Sequence, residues 1–164
     1  MTDPPKKKHM KRERPQPAPP LTEAQRRSMA LFGFRKAQRL LLEAEIIHKS
    51  ENAPNACVHA SYYVLEHCAC AAILLFGGVG KIKGFPKNHA DIILHIGIFT
   101  HGAADGLNGF GEALKEVYNF REISDYSVER DATNKDADVS VKHARRYFED
   151  CCRKWDLKGE MLSG

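Results

Sequence analysis

Arg121 and Asp125 are the pair in this chain best placed to do chemistry. Four positions apart, they share one face of a helix, with Cβ atoms about 5–6 Å apart. Arg121 also extends an apolar seam, Phe110-Leu114-Val117, by one more i+4 step. A guanidinium in line with a buried stripe must have its five N–H donors satisfied. Asp125 is the nearest acceptor, and Tyr126 follows it. Tyr62, Tyr63, Glu66 and His67, on a second apolar segment, are able to complete a network. Two roles fit the pair. One is an internal Arg–Asp clamp fixing the angle between two helices; the other is an anion site with a fixed cation beside acid–base groups.

Other reactive residue types point to less. Five cysteines occur, Cys57, Cys68, Cys70, Cys151 and Cys152, and three of them lie in one apolar segment. Cys68 and Cys70 are two apart, so on a helix they diverge and make a poor chelate or disulfide. No CxxC or HxxxH pair accompanies them, so reduced core thiols are expected, with no metal site and no cofactor. His89, His95 and His101 are spaced by six, well off a whole number of turns, and cannot line one face as ligands. The loop Gly77–Phe85, GGVGKIKGF, has the glycines of a phosphate cradle but neither a following GKS or GKT nor a preceding strand, and reads as turn material.

The elements that must position Arg121 are organised around PNACVHASYYVLEHCACAAILLF, from Pro54 to Phe76. It is long enough for about six helical turns and is apolar on two faces, the pattern of a helix enclosed by others. Its length also suits a membrane span, but His59, Glu66 and His67 would be costly in lipid, so no membrane association is expected. Asn52 can cap it, Pro54 suits its first turn, and Gly77-Gly78 end it. Before it, Thr22-Glu23-Ala24-Gln25 has the form of a capping box, opening a helix to about Lys49 with the seam Phe34, Ala37, Leu41, Ala44, Ile47. After it, Pro86 opens a third helix with Ile92, Ile96 and Phe99 inward. Asn108 caps a fourth that carries Arg121. A fifth runs from about Lys135 to Trp155 with Ala137, Val141, Ala144, Phe148, Cys151 and Trp155 on one face. No segment alternates with period two. The expected fold is all-α, an antiparallel up-and-down bundle of four to five helices.

Charge separates the ends. Residues 1–20 carry Lys6, Lys7, Lys8, Lys11, Arg12 and Arg14 against Asp3 and Glu13, whereas residues 21–164 balance at nineteen basic and nineteen acidic side chains. That Pro-rich basic tail is too poor in apolar groups to fold alone. It is either a solvated leader or an arm for RNA, DNA or an acidic surface. The expected organisation is a disordered tail at 1–20, a helical bundle at 21–158 and a flexible C-terminus at 159–164. No apolar h-region follows the basic run, and the expected location is cytoplasmic.

Three segments, ACVHASYYVLEHCACAAILLF, KNHADIILHIGIFTHG and FREISDY, occur in this order. Together they resemble the HEPN domain (higher eukaryotes and prokaryotes nucleotide-binding), over about residues 22–157. The nearest likeness is to its small prokaryotic subfamily with an alanine-rich Tyr-Tyr helix and an Arg-x-x-x-Asp-Tyr ending. The resemblance implies a HEPN-like bundle that forms homodimers. Many members are metal-independent ribonucleases or toxins, often encoded beside a minimal nucleotidyltransferase that acts as antitoxin. Their site pairs an Arg with a His four to six residues further on, near the dimer seam. Arg121 matches that Arg, but the permitted histidine positions hold Tyr126, Ser127 and Val128. Asp125 or Tyr126 then substitutes, or a His such as His67 or His89 enters the cleft from the same or the other subunit. A tyrosine that accepts nucleotides in some toxins would fall at Val128 and has no match. The resemblance therefore implies first a nucleotide- or RNA-associated binding or regulatory module, partner of a minimal nucleotidyltransferase, without the usual catalytic His. The alternatives are a metal-independent RNase toxin built on Arg121, and a helical adaptor without ligand.

Overall fold

The computed structural model describes residues 20–50, 52–77, 86 and 88–161. All but the last residue of the expected tail at 1–20, and most of the glycine loop, at 78–85, lie outside these residues. Among them every regular element is a helix: α1 (Glu23–Ser50), α2 (Pro54–Leu75), α3 (His89–Thr100), α4 (Phe110–Tyr126), α5 (Asn134–Lys154) and a one-turn α6 (Lys158–Met161). Helix α2 is the hub and packs against α1, α3, α4 and α5. It is long and apolar enough to cross a membrane by length and composition, but two-thirds of its most apolar window is covered by the other helices. Tyr62, Leu65 and Ile73 on it are fully buried, each worth about 1.5–3 kcal/mol of transfer free energy.

The helix boundaries follow local chemistry, with three departures from expectation. Thr22 and Gln25 form the capping box of α1, the Thr22 amide donating to Gln25 Oε1 at 2.8 Å and the Gln25 amide to Thr22 Oγ1 at 3.2 Å. Helix α2 starts at Pro54 as expected, but its cap is Ala53 with no side-chain hydrogen bond, not Asn52. Helix α3 starts not at Pro86 but at His89, where Asn88 Oδ1 accepts the Asp91 amide at 2.9 Å. Asn108 does not cap α4. Its side chain accepts the Gly102 amide and closes the preceding loop, and Gly109, at φ 82°, takes the cap position that a Cβ would strain. The helical unit also continues past 158: α6 buries Met161, so residues 159–161 belong to the fold.

Two features fix α4 against its neighbours. Gly97 on α3 and Gly111 on α4 meet backbone to backbone, so closely that a Cβ on Gly111 would stand 2.7 Å from the Gly97 Cα. At the other end, Asn55 in the first turn of α2 grips the α4–α5 connection. Its Nδ2 donates to Asp131 Oδ1 at 2.8 Å and its Oδ1 accepts the Ala132 amide at 2.7 Å. A small apolar cluster of Ala44, Cys57, Val58, Ala60, Ala132, Ala137 and Val141 lies beneath this grip. Phe110, Leu114, Val117 and Arg121 all face inward from α4, as its seam requires.

Candidate functional site

Helix α4 delivers Arg121 to the surface of α2 at a place rich in rings. The residue is 8 % exposed. Its guanidinium carbon lies 5.5 Å from the Tyr62 ring centroid and 5.3 Å from that of Tyr126, in cation–π contact with both. Nη1 donates to Glu122 Oε1 at 3.1 Å, and Nη2 to the Tyr126 hydroxyl at a long 3.4 Å. Nε is 2.7 Å from Asp125 Oδ2, an ion-pair distance, yet it is buried without an aligned hydrogen bond. Burial works against the charge, but Asp125, Tyr126, Tyr63 and Glu122 outweigh it and hold the guanidinium pKa above its ordinary value.

Around this cation the structure gathers a rim of titratable and aromatic groups. His59 Nδ1 stands 3.2 and 3.3 Å from the two oxygens of Asp125, and its ring centroid is 4.9 Å from that of Tyr63. On the far side of Tyr62, His89 Nδ1 lies 2.5 Å from the Tyr62 hydroxyl and 2.7 Å from Glu66 Oε1. Tyr118 closes that side, its ring 5.8 Å from Tyr62 and 5.5 Å from His89. Burial, then Glu66, pushes the Tyr62 phenol far up, so it stays a protonated donor at neutral pH. Burial and Glu122 likewise raise Tyr118. The two imidazoles are 48 % and 40 % exposed and Tyr126 is 67 % exposed, so a buried cation is ringed by accessible groups.

Of the residues singled out from sequence, Arg121, Asp125, Tyr126, Tyr62, Tyr63, Glu66 and His89 come together. His67 does not. It faces α1 and lines a groove with Met29, Phe32, Lys36 and Cys70, where burial lowers its pKa. The reason is angular. At about 100° per residue, His59, Tyr62, Tyr63 and Glu66 fall within an arc of about 100°, and His67 lies about 40° past its edge. His59, Tyr118 and Glu122 are members that sequence reasoning missed. Their signal is the helical spacing itself, His59 one turn before Tyr62 and Tyr118 one turn before Arg121.

Chemically, the arrangement offers one permanent cation, two imidazoles each facing a carboxylate, and four phenol rings. That inventory suits an anion joined to a planar group, such as a nucleotide. No curated protein and no solved structure matches the chain. A sequence model of the HEPN domain matches residues 30–155, well over half of the 164 residues and all of the elements that build the site, α6 lying beyond it. The chain therefore belongs to the HEPN domain family, whose members have nucleotide- or RNA-related functions.

Proposed function

We propose that this chain is a cytoplasmic, homodimeric HEPN module that binds RNA or nucleotides at the Arg121 cluster and works as the partner of a minimal nucleotidyltransferase. One observation carries the reading. Arg121 is buried in contact with two aromatic faces, beside half-exposed imidazoles and the exposed Tyr126 phenol. An arginine used only as a clamp needs its carboxylate, not such surroundings. A phosphate oxygen replaces the long bond from Nη2 to the exposed Tyr126 hydroxyl, and the neighbouring rings offer bases a stacking surface. Titrating labelled single-stranded RNA into the full chain at several salt concentrations tests this. Arg121→Gln is expected to weaken binding about tenfold or more, with a shallower salt dependence. Equal affinity for both proteins removes the site assignment.

A second reading, a metal-independent ribonuclease serving as the toxin of such a pair, is favoured by the two imidazoles in the site despite the missing histidine after Arg121. Expression would then arrest growth, and purified protein would cut RNA in EDTA. Arg121→Gln would abolish both.

A further inference from the structure

Helix α1 has two apolar faces. Ala30, Phe34, Ala37, Leu41 and Ala44 make the one turned to the core. On the side turned away from it, Met29, Phe32, Leu42 and Ile46 are between 49 % and 70 % exposed. Single exposed apolar side chains are ordinary on a protein surface, whereas several along one helix face mark a contact surface. At about 100° per residue, Phe32, Lys36, Arg39, Glu43 and Ile46 fall within an arc of about 80° and form one stripe. Along the chain it reads apolar, basic, basic, acidic, apolar. Lys36 and Glu43 are two turns apart, about 10 Å along the axis, too far to pair with each other.

The stripe has a centre. Phe32 and Ile46 stand equally far on either side of Arg39. Lys36 and Glu43 are centred half a residue further on, a difference of under about 1 Å of helix rise. In a two-fold contact between copies of one helix, the helices run antiparallel and each position meets the one equally far beyond the axis. With the axis at Arg39, Phe32 of each copy meets Ile46 of the other and Lys36 meets Glu43. Apolar groups then face apolar groups and opposite charges face each other, each contact forming twice.

We infer that the outer face of α1 is where a second copy of this chain packs, antiparallel and centred on Arg39. This rests on the reading of the protein as a homodimer, and adds the face on which it pairs. Helix α1 packs on α2, α5 and α6, whereas α4, which carries Arg121, packs on α2, α3 and α5. A seam on α1 therefore leaves the Arg121 cluster outside it, complete in each copy. Arg39 is the misfit: its charge meets that of its own copy at the axis, a cost that its long side chain limits by reaching to water. The contact is one pair of helices, at the small end of interface sizes, so association is reversible on dilution.

Sedimentation equilibrium of the full chain at micromolar concentrations tests this, with circular dichroism checking that each variant keeps its helix content. All the substituted side chains of α1 are exposed. Lys36→Glu and Glu43→Lys each set like charges against each other twice, and should weaken association about tenfold or more. An equimolar mixture of the two variants brings opposite charges together again and should recover the parent's association to within a few fold. Ile46→Ser should weaken pairing, and Arg39→Leu should tighten it by removing the like charges at the axis. Arg121→Gln should leave it unchanged. Single variants that associate like the parent, or a mixture that recovers nothing, overturn the inference. Association lost in Arg121→Gln but kept in the α1 variants places the seam beside Arg121, which overturns this inference and leaves the homodimer standing. A parent that is monomeric throughout removes both. RNA titration of Ile46→Ser separates pairing from binding: affinity equal to the parent's is expected, and a loss would overturn the placement of the site outside the seam.

Discussion

Arg121 is held by interactions of different kinds, and its substitutions should separate them. Replacing it with Gln leaves Asp125 and Glu122 without the cation they share. Because Asp125 keeps some contact with water, the expected loss of stability is about 1–3 kcal/mol rather than the full cost of an orphaned buried charge. Arg121→Lys restores the charge but not the planar group that contacts Tyr62 and Tyr126, and should recover only part of that loss. Urea denaturation measures both; a Lys variant as stable as the parent would show that the rings contribute nothing. That Arg121 is buried was legible from its place on the Phe110-Leu114-Val117 seam. Its neighbours on α2 were only half legible, because a pair of tyrosines marks a region of a helix but not the edge of the face. His67 was lost and His59 gained for that reason.

At the scale of elements, α3 and α4 cross with their backbones in close contact at Gly97 and Gly111. The two glycines should respond with opposite signs. Gly111→Ala forces backbone against backbone and should cost about 1–3 kcal/mol, pushing apart the helices that carry His89 and Arg121. In Gly97→Ala the new Cβ meets the Gly111 Cα at 3.9 Å, ordinary contact, and gains helix propensity of up to about 1 kcal/mol. Thermal unfolding of the two variants side by side checks this; a neutral Gly111→Ala would mean the crossing is looser than described. Helix existence and inward faces were readable because a period of 3.6 is imposed on every buried helix. The starts of α2, α3 and α4 were less so. Asn52, Pro86 and Asn108 all have cap chemistry, but which candidate is used depends on where tertiary contacts let the first turn form. Asn108 is spent on closing a loop, and Asn55, unremarked in sequence, fixes the α4–α5 connection instead.

For the whole molecule, the buried titratable groups define a pH window. Burial lowers His67 from 6.5, so the folded state disfavours its proton; its contribution is complete above 6.5 and is lost as pH falls toward the lowered value. Burial raises Cys70 to about 12 and Cys152 to about 11 from 9.0, and Tyr62 upward from 10.0. Their contributions are complete below 9.0 and decline as pH climbs through the raised values. Melting temperature at constant ionic strength should therefore hold a plateau between about 6.5 and 9 and fall on both sides. A flat profile to pH 11 would contradict the burial of these thiols and of Tyr62. The all-helical architecture was readable in outline from the sequence. The axial offset of α4 against α2, which brings Asp125 to His59 and Tyr118 to Tyr62, was not, since no local pattern records how far one helix slides along another.

The claim on which the functional account stands is that nucleic acid meets this chain at the junction of α2 and α4. Photo-crosslinking of the full chain to single-stranded RNA containing 4-thiouridine, followed by peptide mapping in a mass spectrometer, tests it directly. The account predicts adducts on Tyr63, Tyr118 or Tyr126 that disappear in Arg121→Gln. Adducts confined to the basic residues 1–20, with none on α2 or α4, would contradict it.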